Sequence, residues 1–383
     1  MSSNPLRFNL PSITEREWAY VRQSLESRHL SGDGGFTHKV HAWLKDHTQS
    51  PHALLVHSCT AALEMSALLC DLKSGDEVIM PSFTFVSTAN AVVLRGAQPV
   101  FVDIRPDTLN IDENKIAAAI TPKTKAIFVV HYAGVACEMD SILALAQRHN
   151  LKVVEDAAQG LMAKYKGKAL GAIGDLGCIS FHETKNLVSG EGGSLLIRNP
   201  ELALRAEILR EKGTNRSQFF RGQVDKYTWV DVGSSYLPSD LLAALLMAQL
   251  ERAEEITAKR LKVWDLYHRE LISLERYGVR RPFIPSHCEH NAHMYYVITN
   301  SLDERTQLIQ FLKEQKIQAP FHYVPLHTSP AGRRFSRAHG QLTHTEQLAD
   351  RLLRLPLHAE LEAADQSRII QAVHDFYQQA AQS

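Results

Sequence analysis

Seven short apolar runs recur between residues 53 and 198, each about the length of a buried β-strand. Several are rich in Val and Ile and nearly continuous in apolar character, which is typical of strands covered on both faces. Amphipathic stretches between most of them, such as 60–72 and 138–150, predict helices. This alternation predicts an α/β fold with a mostly parallel, doubly wound, seven-stranded sheet. The predicted strands are ALLVH (53–57), EVIM (77–80), PVFVD (99–103), KAIFVV (125–130), KVVED (152–156), GCISF (177–181) and SLLIR (194–198).

The pattern changes after the sixth run. A glycine-rich segment at 186–193 takes the place of a helix, which predicts a hairpin-like connection and one antiparallel strand. A long helical pattern then runs from Pro238 to about Leu274, and helices of this length often connect two domains. Beyond it come MYYVIT (294–299), a helical pattern near 303–315 and two more helical patterns. We therefore predict a large domain over residues 1–250 and a small C-terminal α+β domain over residues 251–383.

Composition narrows the classes of function. The 42 basic and 42 acidic residues cancel, so the chain lacks the basic character of a protein that binds nucleic acid or an anionic membrane. The five cysteines are widely spaced, which favours reduced thiols over a disulfide framework. Neither H-E-x-x-H nor C-x-x-C occurs, so we expect no dedicated metal site. With neither a signal-peptide pattern nor an apolar run of membrane-spanning length, a cytoplasmic protein is expected.

Candidate chemistry is concentrated where the predicted strands end, the edge at which open α/β sheets bind ligands. A helix beginning at Thr60 could bind a phosphate at its N-terminus, although an ordinary helix cap is the favoured explanation of this residue on its own. Phe85 follows the second strand and is either a stacking platform or part of the core. Asp156 ends the fifth strand, and a buried acid needs a partner. Ser180 and Lys185 follow the sixth strand, where a lysine on its own is most often a solvated charge.

Taken together, these residues match the requirements of one cofactor. Pyridoxal phosphate has a phosphate, a flat ring, a ring nitrogen that must stay protonated and an aldehyde that reacts with a lysine. An aspartate facing the ring nitrogen keeps that nitrogen charged. Asp156 and Lys185 are 29 residues apart, the length of one strand–helix–strand step, so both can line one cavity.

Several motifs resemble those of the DegT/DnrJ/EryC1/StrS sugar-nucleotide aminotransferases. The resemblance implies the type I, aspartate-aminotransferase fold of pyridoxal-phosphate enzymes and a homodimer with shared active sites. It extends from about residue 7 to residue 378. The motifs that carry it are MPSFTFVSTANAV (80–92), VFVDIRPDTLNID (100–112), VVHYAG (129–134), VVEDAAQG (153–160), SFHETKN (180–186) and EGG (191–193).

The resemblance also implies individual roles. Lys185 resembles the catalytic lysine that binds the cofactor covalently, and Asp156 the partner of the ring nitrogen. Many members carry an asparagine that reaches the partner subunit's phosphate, followed two residues later by an arginine; here Ser235 and Leu237 occupy those positions. The remaining implied cofactor contacts are Phe85 on the ring, Thr60, Ala61 and Ser180 on the phosphate, and Gln159 near the phenolic oxygen.

Four stretches, at 31–37, 78–91, 131–140 and 210–229, are most similar to the enterobacterial members that make dTDP-4-amino-4,6-dideoxygalactose. This similarity implies transfer of an amino group from L-glutamate to C4 of dTDP-4-keto-6-deoxyglucose, for synthesis of enterobacterial common antigen or lipopolysaccharide. Lys212, Arg216 and Arg221 would supply charge for the diphosphate, unless they belong to a solvated basic loop. Further candidates for substrate contacts, each with an equally good structural role, are His131, Tyr132, His182, His322, Tyr323 and His327.

Other functions remain as alternatives. A sister transaminase could give the gluco epimer or a 3-amino sugar. Related dehydratases replace the reactive lysine by histidine, and Lys185 argues against that class. A non-catalytic or regulatory protein would not need Lys185, Asp156, Ser180 and Thr60 together. A nicotinamide-dependent dehydrogenase would need G-x-G-x-x-G after the first strand, where HSCTAA has no glycine.

Overall fold

The computed structural model describes residues 5–380 of the 383-residue chain. Its strands are β1 (His52–Val56), β2 (Glu77–Pro81), β3 (Gln98–Val102), β4 (Thr124–Val130), β5 (Lys152–Asp156), β6 (Lys164–Tyr165), β7 (Lys168–Ala169), β8 (Leu176–Ser180), β9 (Gly193–Ile197), β10 (Cys288–Glu289), β11 (Tyr295–Ile298), β12 (Arg337–Ala338) and β13 (Leu352–Leu355).

The helices alternate with these strands in the first two hundred residues, as the sequence pattern predicts. Serine, threonine, asparagine or aspartate side chains cap several of them, for example Thr14 and Ser301. The α-helices are α1 (Glu15–Ser27), α2 (Gly35–Thr48), α3 (Cys59–Leu69), α4 (Val86–Val93), α5 (Glu113–Ala119), α6 (Met139–His149), α7 (Pro200–Arg210), α8 (Arg216–Phe220), α9 (Asp240–Leu250), α10 (Ala253–Glu270), α11 (Leu302–Glu314), α12 (Pro330–Phe335), α13 (Thr343–Arg351) and α14 (Ala363–Ala380).

The central sheet has the strand order β1-β9-β8-β5-β4-β2-β3-β12. All seven predicted strands are present, and β9 runs antiparallel to both of its neighbours, so the predicted antiparallel strand is confirmed. The sheet has eight strands rather than seven, because the two-residue strand β12 pairs in parallel with the edge of β3. A strand this short has no periodic pattern that a sequence can reveal.

Both faces of the sheet are buried, which explains the nearly continuous apolar runs. Ile79 and Val153 belong to one core cluster, whereas their neighbours Val78 and Val154 belong to the cluster on the opposite face. Successive side chains of a strand point to opposite faces, so a strand covered by helices on both sides is apolar at every position. The fold is thus the predicted α/β fold with a mostly parallel sheet, and the ligand edge of the sheet lies at the carboxyl ends of the strands.

The single long helix predicted from Pro238 to about Leu274 is wrong, because two helices, α9 and α10, occupy this range. The break falls at Arg252, whose φ of −108° lies outside the helical range. The Arg252 side chain is buried and pairs with the buried Glu17 of α1 at 3.2 Å. The helical pattern is therefore interrupted by a contact with a residue far away in the sequence. Ser239 caps α9, so Pro238 precedes the cap instead of starting the helix.

The C-terminal part of the chain has its own apolar core around the antiparallel pair β11 and β13. Tyr267 of α10, Tyr295 of β11 and Val373 of α14 are fully buried in it. Leu6 joins the same core and bridges to Ile317. The division of the chain at residue 250 stays a prediction. Among residues 5–380, no helix combines the length and apolar character needed to cross a membrane.

Candidate active site

A cavity of about 440 Å³ opens at the carboxyl ends of the parallel strands. Segments that follow β1, β2, β5 and β8 form one side of it, and residues from the C-terminal part of the chain form the other. Phe8 and Asn9 also line the cavity, and most of the predicted site residues meet there. The other lining residues include Ser58, Cys59, Thr60, Phe85, Asp156, Gln159, Ser180, Lys185, Glu191, His293, His322, Tyr323 and Arg354.

The N-terminus of α3 forms one end of the cavity. Ser58 caps this helix, since its Oγ accepts a hydrogen bond from the backbone N–H of Ala61 at 3.0 Å. Thr60 Oγ1 lies 2.8 Å from Ser87 Oγ, and both side chains line the cavity. The first N–H groups of a helix have no partner within the helix, and together with the helix dipole they favour an anion. This end of the cavity can therefore bind a phosphate, although the Ala61 N–H is already used by the cap.

Backbone packing fixes this helix end against the sheet. Gly193 begins β9, and a Cβ atom built on it would lie 2.3 Å from the carbonyl carbon of Ser58 and 2.4 Å from the backbone nitrogen of Cys59. Distances this short are far inside van der Waals contact, and the neighbouring atoms are backbone. The N-terminus of α3 can therefore keep its position only because residue 193 is a glycine.

Asp156 lines the cavity and is only 5% exposed. Its Oδ2 accepts a hydrogen bond from the Thr88 hydroxyl at 2.7 Å, and its Oδ1 accepts one from the Ala158 N–H at 3.2 Å. Burial raises the pKa of the Asp156 carboxyl, while these hydrogen bonds and the charge of Lys185 act in the opposite direction. Because it is buried, a carboxylate held in this way favours a positively charged N–H as its partner.

Lys185 lies in the loop between β8 and β9, where its backbone N–H donates to the His182 carbonyl at 2.9 Å. Its ammonium group lines the cavity and has no hydrogen-bond or ion-pair partner among residues 5–380. Burial lowers its pKa, and the charge of Asp156 offsets only part of this effect. An amine with a lowered pKa and no partner is a nucleophile and a base.

Phe85 and Gln159 complete the side of the cavity that the central sheet forms. The Phe85 side chain is 58% exposed and lines the cavity, so its ring is available for stacking instead of being part of the core. Gln159 Oε1 accepts a hydrogen bond from the Ala133 N–H at 2.6 Å, and its Nε2 donates to the Tyr323 hydroxyl at 3.1 Å. These bonds hold Gln159 at the boundary between the two sides of the cavity. Ser180, whose Oγ lies 3.4 Å from the His182 backbone nitrogen, is adjacent to the α3 end.

Directly behind Asp156, Glu155 and His131 form a completely buried pair, with 2.8 Å between Glu155 Oε2 and His131 Nε2. His131 Nδ1 accepts a hydrogen bond from the Cys137 N–H, so the ring proton lies on Nε2 and is donated to Glu155. The carboxylate also accepts hydrogen bonds from the backbone N–H groups of residues 171, 173 and 174. His131 is therefore a structural residue and not a substrate contact.

Replacing Glu155 by glutamine is expected to destabilise the fold by about 3 kcal/mol or more, because each carboxylate oxygen accepts two hydrogen bonds. Either orientation of the amide then places an NH₂ group against two donors. Urea unfolding measures the loss. The exposed Glu289, 3.6 Å from Lys164, provides the control, and Glu289→Gln should change stability by less than about 0.5 kcal/mol. A Glu155→Gln variant as stable as the wild type would contradict this account.

The C-terminal part of the chain places two of its three predicted residues in the cavity. His322 Nδ1 lies 3.0 Å from the Tyr132 hydroxyl, and the rings of His322 and Tyr323 are 3.4 Å apart. His327 does not line the cavity, so its assignment as a substrate contact is not supported within one chain. Its Nδ1 lies 2.7 Å from Ser82 Oγ and its Nε2 lies 2.9 Å from Glu346, and these two contacts hold the ring in place.

Lys212, Arg216 and Arg221 of the segment 210–229, which were expected to bind a diphosphate, also lie outside the cavity of their own chain. Arg216 is 3.4 Å from Glu211, and Arg221 is 2.7 Å from Glu207. Ser235 forms a β-bridge with Glu211, and Lys212 precedes a tight turn at Gly213. No contact of these side chains with the cavity exists within the described part of one chain.

Sequence reasoning missed several residues at the cavity. Ser58 had a local signal, since it stands at the N-cap position of α3. Thr88 does not line the cavity but donates to Asp156, and it lies four residues after Thr84, whose hydroxyl is 2.9 Å from its own. His293 and Arg354 had no local signal, because they come from strands and loops of the C-terminal part. His293 Nδ1 lies 2.8 Å from Asn186 Oδ1, and burial lowers the pKa of this histidine well below its usual range.

Comparison with known proteins shows which family the chain is similar to. The DegT/DnrJ/EryC1/StrS aminotransferase family matches residues 11–374. The chain is 35% identical to the spore coat polysaccharide biosynthesis protein SpsC of Bacillus subtilis, over 97% of this chain and 96% of SpsC. It is 34% identical to GDP-perosamine synthase of Caulobacter vibrioides, over 95% of this chain and 96% of that protein.

Solved structures show the same fold. The PMP form of Spr1654, a putative sugar aminotransferase from Streptococcus pneumoniae, has a TM-score of 0.90 and 27% identity to this chain. The match covers 98% of this chain and all of that one. The match to the family over nearly the whole chain, with relatives more than 30% identical at full length, leads to one conclusion: this chain belongs to the DegT/DnrJ/EryC1/StrS aminotransferase family.

Proposed function

We propose that this aminotransferase moves an amino group from L-glutamate to the keto carbon of a nucleotide-linked 4-keto-6-deoxy sugar, with pyridoxal phosphate as its cofactor. The observation that carries the proposal is the placement of Lys185 and Asp156 in one cavity beside the N-terminus of α3. When bound, pyridoxal phosphate supplies a carbon that exchanges amino groups and a ring that withdraws electrons. The family uses this cofactor, and structures of the Streptococcus pneumoniae relative include PLP and PMP forms.

The residues present fit this cofactor. The α3 end, with Thr60 and Ser180, suits the phosphate because it offers free N–H groups and hydroxyls. Asp156 has no cationic hydrogen-bond partner in the described chain, so a protonated ring nitrogen satisfies its carboxylate. The exposed Phe85 ring suits the flat face of the cofactor, and Gln159 suits the phenolic oxygen.

Lys185 has two tasks in this proposal. Its amine holds the cofactor covalently and is released when the amino donor binds. The released amine takes a proton from the α-carbon of the donor, and in the second half of the reaction it delivers a proton to the sugar carbon. Because burial lowers the pKa of Lys185, the amine accepts this proton in its neutral form.

For the substrate we propose dTDP-4-keto-6-deoxyglucose and the product dTDP-4-amino-4,6-dideoxygalactose, for use in enterobacterial common antigen or lipopolysaccharide. The resemblance of 31–37 and 210–229 to the enterobacterial enzymes supports this choice. The relative named GDP-perosamine synthase makes a GDP-linked sugar the main rival, beside the gluco epimer and a 3-amino sugar.

The test is a coupled assay with purified protein, pyridoxal phosphate and L-glutamate, in which NMR identifies the amino sugar. An axial 4-amine from the dTDP sugar is the expected result. An equatorial amine, or product only from a GDP-linked or 3-keto sugar, would keep the aminotransferase and replace the proposed substrate. Absence of product from every keto sugar, with the cofactor bound, would overturn sugar amination.

We also propose that the enzyme is a homodimer with shared active sites. Lys212, Arg216, Arg221 and Ser235 lie outside their own cavity, so in this arrangement the segment would serve the cavity of the partner. The same segment exposes large aromatic side chains, with Phe220 69% and Trp229 79% exposed, and a second copy would cover them. Sedimentation equilibrium tests this proposal, and a monomer at working concentration would contradict it.

Replacing Gly193 by alanine is expected to weaken the affinity for pyridoxal phosphate by about tenfold or more, because the new methyl group displaces the backbone at Ser58 and Cys59. Titration of the cofactor-free protein, followed by the absorbance of the bound cofactor, measures the change. Gly35→Ala is the control, since a Cβ there meets nothing within 4 Å. Equal affinity in the Gly193→Ala variant and in the wild type would contradict the proposed phosphate site.

A further inference from the structure

One cation of the cavity, Arg354, takes no part in the steps assigned to Lys185 and Asp156. Arg354 lies on β13, between Leu353 and Leu355, whose side chains are fully buried in the C-terminal core. Because neighbouring side chains of a strand point to opposite faces, Arg354 points away from that core. It is the only arginine that lines the cavity within residues 5–380.

The guanidinium is held firmly but lacks an anionic partner. It stacks over the ring of Phe8, with 4.6 Å between its central carbon and the ring centre, and its Nη2 donates to the Phe321 carbonyl at 2.9 Å. Its Nε is buried and has no hydrogen-bond partner in the described chain. Within residues 5–380, no carboxylate oxygen lies within 4 Å of its nitrogens. The two acids that line the cavity have other partners, since Asp156 is bound by Thr88 and Ala158 and Glu191 lies 3.7 Å from His182.

A guanidinium that is only partly exposed to water and has no carboxylate partner is stabilised when an anion binds to it. Guanidinium groups bind planar oxyanions through two parallel hydrogen bonds, and a carboxylate or a phosphate satisfies them. Both substrates of the proposed reaction carry such a group: L-glutamate has carboxylates, and the nucleotide sugar has a diphosphate.

The position of Arg354 favours the amino donor. The α-carboxylate of an amino acid is attached to the same carbon as the reacting amine, so it must lie close to Lys185. The diphosphate of a nucleotide sugar is attached across the sugar ring from C4. Arg354 lines the same cavity as Lys185 and is close enough to lower the pKa of that lysine by charge repulsion. We propose that Arg354 binds the α-carboxylate of the amino donor and so aligns its α-carbon with Lys185. This inference rests on the proposed function and assigns the donor subsite within it.

The test uses the holoenzyme and an unreactive analogue, 2-hydroxyglutarate, which keeps both carboxylates of glutamate but has no amine. Calorimetry of Arg354→Gln is expected to show about 100-fold weaker binding than the wild type. The affinity of Arg354→Lys for 2-hydroxyglutarate should lie between those of the wild type and Arg354→Gln, because lysine keeps the charge but cannot make the two parallel hydrogen bonds. 4-Hydroxybutyrate, which lacks the α-carboxylate, should bind the wild type and the Arg354→Gln variant equally.

The chain offers a matched control in Arg305. Arg305 also stacks over an aromatic ring, Phe321, and also donates to a backbone carbonyl, that of Ala349, but it does not line the cavity. Arg305→Gln should therefore bind 2-hydroxyglutarate like the wild type. Thermal unfolding of both variants shows whether each one is folded.

Kinetics separate the donor from the nucleotide sugar. In Arg354→Gln, the reaction of the cofactor with L-glutamate should slow about 100-fold, and preference for glutamate over 4-aminobutyrate should disappear, while amination of the keto sugar changes less than threefold. Unchanged binding of 2-hydroxyglutarate would overturn the inference, as would weaker binding of the nucleotide sugar alone. If no keto sugar is aminated but 2-hydroxyglutarate still depends on Arg354, the sugar proposal fails and this inference stands.

Discussion

Replacing Lys185 by alanine is expected to lower the rate of amino transfer by roughly 10⁵-fold or more, with the fold intact. No other lysine lines the cavity in the described chain, so neither covalent attachment nor the proton transfer at the α-carbon has a substitute. Lys185→Arg should be equally inactive, because a guanidinium keeps its proton and is a poor nucleophile. Turnover in the coupled assay measures the loss, and the absorbance of the bound cofactor reports whether the covalent bond forms.

A surface lysine provides the control for this experiment. Lys164 lies outside the cavity, 3.6 Å from Glu289, and Lys164→Ala should retain activity within threefold of the wild type. Circular dichroism and thermal unfolding should be alike for the wild type and the Lys185→Ala variant. Wild-type turnover in Lys185→Ala would show that the catalytic assignment is wrong.

Asp156→Asn is expected to reduce kcat/KM by about 10³-fold, because an amide cannot stabilise the positive charge on the ring nitrogen. Without the cofactor, the same substitution should change stability little. Burial raises the pKa of the Asp156 carboxyl and so shifts it toward the neutral form, which asparagine imitates in size and polarity. Steady-state kinetics measure the loss of kcat/KM, and urea unfolding of the cofactor-free protein measures the change in stability.

Asp103 is a close match for this comparison. It is also 5% exposed and directly follows β3, but its carboxylate accepts the backbone N–H groups of His344 and Thr345 outside the cavity. Asp103→Asn should therefore lower stability and leave kcat/KM within threefold of the wild type. If both variants lost activity alike, the loss in Asp156→Asn would reflect packing and not the ring nitrogen.

Much of the sheet and of one side of the cavity could be predicted because the signals are local. Each of the seven main strands is a continuous apolar run, and Thr60, Phe85, Asp156 and Lys185 all follow the ends of such runs. Parallel strands place their carboxyl ends at one edge, so residues far apart in the sequence meet there without any knowledge of the side-chain packing.

The other side of the cavity could not be predicted in this way. Arg354 and His293 reach it because residues of β11 and β13 pack in one apolar cluster with Phe83 and Tyr132, which follow β2 and β4. His327 was assigned to the site by its place in HYVPLH, but hydrogen bonds with Ser82 and Glu346 hold it elsewhere. Arg252 broke a helical pattern through its ion pair with Glu17, a contact across 235 residues. Each outcome depends on a partner distant in the chain.

The two residues of β12 have a consequence for the growing polypeptide. During synthesis the ribosome completes β3 long before Arg337 and Ala338 exist, and until they arrive one side of β3 presents unpaired N–H and C=O groups. Exposed strand edges pair with strands of other chains, so an enzyme truncated before residue 337 would be released with an unpaired strand edge that favours aggregation. β12 is thus the last strand of the central sheet to be made, and its two residues cover Val100 and Phe101 at the edge of β3 once the chain is nearly complete.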